Sequence, residues 1–146
     1  MLKTIHPVAG AVAMLMIATF WLSTALSELF ASRDVVVLVK TAIPWGFLIL
    51  VPAIAAAGAA GLIMAKGDQS GPIGAKFKRM PVIAGNGLIV LIPCALYLAS
   101  KARADSFDAN FYAVQALELV AGAVNLTLMG LNLRDGLTLT GRLRAT

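Results

Sequence analysis

"FYAVQALELVAGAVNLTLMGLN", residues 111–132, consists mainly of Leu, Val, Ala and Gly, which a lipid bilayer accepts. The stretch is long enough for one membrane-spanning helix, which needs roughly 20 residues. Three further apolar blocks precede it, separated by short polar segments. We therefore predict an all-α integral membrane protein whose four transmembrane helices form an up-down antiparallel bundle. The predicted spans cover about 6–30, 35–65, 80–100 and 109–133.

Composition supports one membrane domain over residues 1–146. Sixty per cent of the residues are apolar and 13% are charged, whereas a soluble domain carries about 25% charged residues. The single cysteine, Cys94, excludes an internal disulfide, and the single histidine, His6, excludes a two-histidine metal site within one chain. The chain contains no P-loop, GxSxG, HExxH or dinucleotide-binding pattern, so nothing in the sequence indicates an enzyme.

The positive charges predict the orientation. The N-terminus, the polar loop 66–79 and the tail 134–146 hold eight of the twelve Lys and Arg residues, and the opposite side of the membrane holds the other four. By the positive-inside rule, both termini and the tail are cytoplasmic in a multi-pass inner-membrane protein of bacterial type. Because the cations flank apolar blocks, we expect anionic lipid rather than nucleic acid as their partner. Lys76, Lys78 and Arg79 are either topology determinants or contacts to a lipid or quinone headgroup.

The fourth span carries a polar stripe. Gln115, Glu118 and Asn125 are separated by three or seven residues and share one helical face. Most of the other faces are covered by Leu and Val. Placing a charged residue near the centre of a bilayer costs about 2.5–3.5 kcal/mol, so such residues seldom lack a role. The stripe should therefore face the bundle interior, a cavity or a partner subunit.

Two interpretations of Glu118 follow. In the structural one, a protonated Glu118 carboxyl is hydrogen-bonded to Gln115, Tyr97 or Asn86. In the functional one, which we favour, Glu118 binds a proton or ligand in an internal cavity, together with Gln115, Asn125, Asn86 and Tyr97.

A second polar pair is predicted near the end of the first span. Glu28 and Lys40 flank the turn between the first two spans at similar depth. We predict an ion pair between them, with a mainly structural role.

His6 lies at the start of the first span. It is either an interfacial residue facing lipid headgroups or an axial ligand of a b-type haem. A single histidine would need a Met ligand or a second chain to complete the haem coordination. No other metal site and no other cofactor are indicated.

Small residues line the end of the second span. Ala57 and Gly61 are four residues apart, a spacing that lets helices approach closely in a bilayer. This surface either packs within one bundle or forms the interface of a homodimer or other homo-oligomer.

Three functions remain open. The first is binding or transport of a proton, cation or small ligand around Glu118. The second is an accessory subunit of a larger membrane complex, and the third is haem- or quinone-dependent electron transfer involving His6. In length and number of spans the chain is similar to small multidrug exporters, but their essential glutamate lies in the first span, so the similarity is architectural.

Overall fold

The computed structural model describes residues 1–65, 70–139 and 141, apart from the side chains of residues 2, 3 and 65. Within these residues the chain forms four long helices and no strand. They are Leu2–Phe30, Arg33–Ala65, a third helix from Gly71 to Arg103, and Ala109–Leu139. All four are long and apolar enough to cross a membrane. This confirms the predicted number and kind of helices.

The four helices pack as a ring in which each contacts the next, and the fourth contacts the first. Side-chain contacts show the relative directions of neighbouring helices. Each contact joins the beginning of one helix to the end of its neighbour, or joins two helices at mid-length. These contacts are His6 with Ala57, Arg33 with Asp105, Arg79 with Asp135, and Trp21 with Leu119. Neighbouring helices are therefore antiparallel, and the second and fourth helices lie diagonally across the ring.

The third helix is longer than predicted at its N-terminal end. It begins at Gly71 rather than near residue 80, so Lys76, Lys78 and Arg79 lie on a helix instead of in a loop. Pro72 occupies the first turn, where its missing N–H costs no hydrogen bond. Residues 66–69 of the predicted loop lie outside the described residues.

The fourth helix also continues beyond the predicted end. Residues 134–139, assigned to the tail, are helical up to Leu139. The Arg79–Asp135 ion pair holds this extension against the third helix. The helix passes through Gly136 without interruption. Residues 140 and 142–146 of the tail lie outside the described residues.

The third helix changes its winding in the middle. Residues Gly71–Gly85 and Ile92–Arg103 are α-helical, and Asn86–Leu91 form a π-helical segment between them. Pro93 has no N–H, so an α-helix here would leave the carbonyl of Ile89 without its usual donor. The wider winding of the π-helical segment accommodates the missing donor. Within it, the N–H of Ile92 bonds to the carbonyl of Gly87 instead of to that of Leu88.

One end of the bundle is tightly closed. Val36, Leu98, Ala102 and Phe111 form a buried cluster that joins the second, third and fourth helices. Asp108 starts the fourth helix, since its Oδ1 accepts the N–H of Phe111 at 2.9 Å. The Lys101 ammonium donates to Asp108 Oδ2 at 2.6 Å. This bond and the bond from the Phe111 N–H lower the pKa of the Asp108 carboxyl to about 2.

Candidate functional site

A buried ion pair joins the two diagonal helices. The Nζ of Lys40 lies 2.8 Å from Oε2 of Glu118, and the two side chains are 1% and 12% exposed. We had predicted that Lys40 pairs with Glu28, but the structure pairs it with Glu118. Lys40 can contact Glu118 because a lysine side chain extends far from its own helix and the carboxylate of Glu118 points into the bundle at nearly the same depth.

Gln115 and Glu28 complete a polar cluster around this pair. The Nε2 of Gln115 donates to Glu118 Oε2 at 3.3 Å. The carboxylate of Glu28 is close enough to interact electrostatically with both Lys40 and Glu118. Among the described residues Glu118 makes the direct contact with the ammonium, and Glu28 interacts with the pair at longer range. We call Glu28, Lys40, Gln115 and Glu118 the charged cluster.

The two asparagines form a separate polar contact. Asn86 Nδ2, in the π-helical segment, donates to Asn125 Oδ1 at 2.9 Å and to the carbonyl of Ala121 at 2.8 Å. Asn125 Nδ2 donates to the carbonyl of Ile83 at 3.3 Å. Each asparagine thus donates to the backbone of the other's helix, Asn125 to the third and Asn86 to the fourth, at or beside the distorted segment. Asn86 bonds to Asn125 rather than to Glu118.

Tyr97 contacts Lys101 rather than the charged cluster or the two asparagines. It is 36% exposed, and its ring lies 5.8 Å from the ammonium of Lys101. Of the three groups predicted to hydrogen-bond Glu118, only Gln115 does so in the structure. The burial of Gln115 and Asn125 nevertheless confirms that the polar stripe of the fourth helix faces the interior.

A cavity of about 270 Å³ lies between the four helices. Its wall is mainly apolar, and Glu118, Asn125 and Thr24 are among the few polar residues that line it. The ring of Trp21 also lines the cavity, and its Nε1 donates to the carbonyl of Leu119 at 2.8 Å. The cavity thus combines a mainly apolar wall with a few polar groups, as ligand pockets commonly do.

The cavity opens sideways between the second and third helices. The third helix packs closely on the second through Ile92–Arg103, whereas its earlier part packs on the fourth helix. Val51 and Ala55 on the second helix and Ala84 and Leu88 on the third line the cavity and are themselves exposed. This opening faces the outer side of the bundle, where bilayer lipid would lie.

His6 takes part in packing between the first two helices. Its Nδ1 lies 2.8 Å from the carbonyl oxygen of Ala57. A Cβ atom added at Gly61 would lie only 3.0 Å from His6 Cε1, so the ring fits because this residue has no side chain. Part of the predicted small-residue surface is therefore covered within the chain. A homo-oligomer and a haem at His6 remain predictions.

The predicted headgroup contacts lie together near the start of the third helix. Arg79 bonds through Nη1 to Asp135 at 2.5 Å and to Asn132 at 3.3 Å, so its charge also holds two helices together. Lys78 is exposed and Lys76 is partly buried near Gly136. Contact with a lipid or quinone headgroup remains a prediction for all three cations.

The Lys40–Glu118 pair could have been found by comparing depths. Lys40 lies seven residues after the start of its helix, and Glu118 lies nine residues after the start of the fourth. At the α-helical rise these are about 10 Å and about 13 Å from the same end of the bundle. The short turn between the first two spans favoured Glu28 instead, because it brings Glu28 and Lys40 to similar depth. The cavity carries no comparable signal in the sequence.

Comparisons of the chain with protein-family models, with curated proteins and with solved structures found no match. The functional argument therefore depends on the site itself.

Replacing Asn125 with Leu tests the asparagine contact. The change keeps a branched side chain of similar shape but removes the acceptor for Asn86 and the donor to Ile83. We expect a loss of about 0.6–1.7 kcal/mol in the free energy of unfolding, the range found for interhelical hydrogen bonds in membranes. Unfolding in mixed detergent micelles measures it. Thr127→Leu is the matched control, because Thr127 is exposed on the same helix and bonds only within it; equal losses in the two variants would contradict the expectation.

Proposed function

We propose that this chain is a small integral membrane protein that binds a largely apolar small molecule in the cavity between its helices. The observation that carries this proposal is the cavity of about 270 Å³, with an apolar wall and the polar groups of Glu118 and Asn125 at its surface. A ligand with a hydrogen-bond donor could bond to Glu118, while its apolar part contacts the cavity wall.

The ion pair argues against a simple cation site at Glu118. Its carboxylate already has the Lys40 ammonium at 2.8 Å, so a metal cation would meet a neutralised pair. A neutral ligand with a polar group needs no such exchange of charge. Binding is the step that a transporter and a ligand-binding subunit would share, and it is the step that the cavity supports.

The sideways opening suggests how the ligand arrives. In the proposed orientation all four helices cross an inner membrane, and both termini are cytoplasmic. The exposed rim residues between the second and third helices then face lipid. A ligand dissolved in the bilayer would reach the cavity without crossing water.

Tryptophan fluorescence provides the test, because the two tryptophans lie in different places. Trp21 lines the cavity, whereas Trp45 is 71% exposed on the outside of the bundle. The Trp45→Phe variant therefore reports on the cavity alone, and Trp21→Phe reports on the lipid-facing surface. A para-brominated phenol, which quenches tryptophan on contact and carries one donor, is added to each variant in lipid nanodiscs. We expect saturable quenching of Trp21 and only a linear, unsaturated decrease for Trp45.

Two controls separate cavity binding from partitioning into lipid. Ala95 is buried and lines the cavity, so Ala95→Leu should fill part of it and abolish the saturable component of Trp21 quenching. Bromobenzene, which has no donor, should bind more weakly than the phenol. Linear quenching of Trp21 by both compounds, with no effect of Ala95→Leu, would exclude the proposed binding.

A further inference from the structure

The charged cluster contains one more negative than positive charge when both of its carboxylates are ionised. Glu28 comes from the first helix, Lys40 from the second and Glu118 from the fourth. On the third helix, the thiol of Cys94 lies near this cluster without being part of it. Lys40 is thus the only cation of this cluster in the described part of the chain. An unbalanced charge in a bundle interior is costly, so the group usually becomes neutral instead.

Two acceptor atoms of the cluster have no donor. Oε1 of Glu28 and Oε1 of Gln115 are buried and make no hydrogen bond to any described residue. Gln115 as a whole is 5% exposed, and its Nε2 already bonds to Glu118, so its amide lies within the cluster. Buried polar atoms without a partner are rare and call for a missing donor. A proton on a carboxylate would supply one donor and also balance the charge.

We propose that the charged cluster is a proton-binding site, in which Glu28 and Glu118 share one proton and Lys40 pairs with whichever carboxylate remains ionised. In the structure Lys40 pairs with Glu118, which corresponds to a proton on Glu28. When the proton is on Glu118, the ammonium pairs with Glu28. A proton fits better than a metal ion, which needs about six oxygen ligands in the case of a hard cation.

This site extends the ligand-binding proposal, because Glu118 belongs both to the charged cluster and to the cavity wall. A ligand that donates a hydrogen bond to Glu118 favours its ionised form and so favours the proton on Glu28. The coupling rests on the proposed function, whereas proton binding itself does not. Glu28 lies two residues before the end of its helix, which places it near the membrane surface from which a proton would come.

Infrared difference spectroscopy of the ligand-free protein in nanodiscs tests the proton site. The carboxylic-acid carbonyl band is followed from about pH 8 to about pH 5, where exposed carboxylates remain largely ionised. We expect one protonated carboxyl per chain in the wild type and none in Glu28→Gln or Glu118→Gln, because each of these variants leaves one carboxylate for one ammonium. Lys40→Met should show two, a twofold increase.

Asp135→Asn is the control, since Asp135 pairs with Arg79 at 2.5 Å and should contribute nothing to the band. Helical content by circular dichroism shows that each variant is folded. Absence of the band in the wild type, or its persistence in both glutamine variants, would overturn the proton site. If the band behaves as expected but Trp21 shows no saturable quenching, the ligand-binding proposal fails and the proton site stands. If Trp21 shows saturable quenching but the band does not behave as expected, only the proton-site proposal fails.

Discussion

Lys40→Met is expected to lower the free energy of unfolding by about 3–5 kcal/mol at neutral pH, the usual cost of removing one partner of a buried ion pair. The variant keeps the length of the side chain but leaves Glu118 without the ammonium that lies 2.8 Å away.

Unfolding in mixed detergent micelles at neutral pH measures this effect. Arg33→Met is the matched control, because the Arg33–Asp105 pair spans 3.6 Å and its side chains are 61% and 70% exposed. Exposed pairs contribute about 0–1 kcal/mol. The double variant Lys40→Met, Glu118→Gln should recover most of the lost stability, since it removes both charges. Similar losses in Lys40→Met and Arg33→Met would show that the buried pair contributes no more than the surface pair.

Gly46→Ala is expected to destabilise the bundle by about 1–3 kcal/mol, the usual cost of overpacking a core. A Cβ atom at this position would overlap the Phe20 ring and lie 3.2 Å from the methyl of Met16. The Phe20 ring has little freedom to move, because it packs edge-to-face on Phe47 with centroids 6.2 Å apart. Either the Phe20 ring leaves this contact or the first and second helices separate.

Gly10→Ala is the matched control for this prediction. Gly10 lies within the first helix, and a Cβ atom there would meet nothing within 4 Å. Removing the flexibility of a helical glycine should stabilise this variant by about 0.5–1 kcal/mol. The two substitutions are compared by thermal unfolding under identical conditions. A stabilising effect of both would show that the close approach at Gly46 is not needed for folding.

The periodicity of the fourth span predicted the inward face correctly, because it depends only on residues of one helix. Gln115 and Asn125 lie three and seven residues from Glu118, a spacing that places them on the same helical face, and both are buried. The partners of these residues depend on the rotation and relative depth of other helices. For that reason Asn86 was predicted beside Glu118 and instead bonds to Asn125.

The sequence by itself determined four long apolar helices, their order and the polar stripe of the fourth, because hydrophobic length and helical period are local properties. Only the tertiary structure decided that Lys40 pairs with Glu118 across the bundle and that Oε1 of Glu28 has no donor among the described residues. It also decided the cavity, which lies between the four helices and is lined in part by the π-helical segment of the third. These features depend on distances between helices that are far apart in the chain.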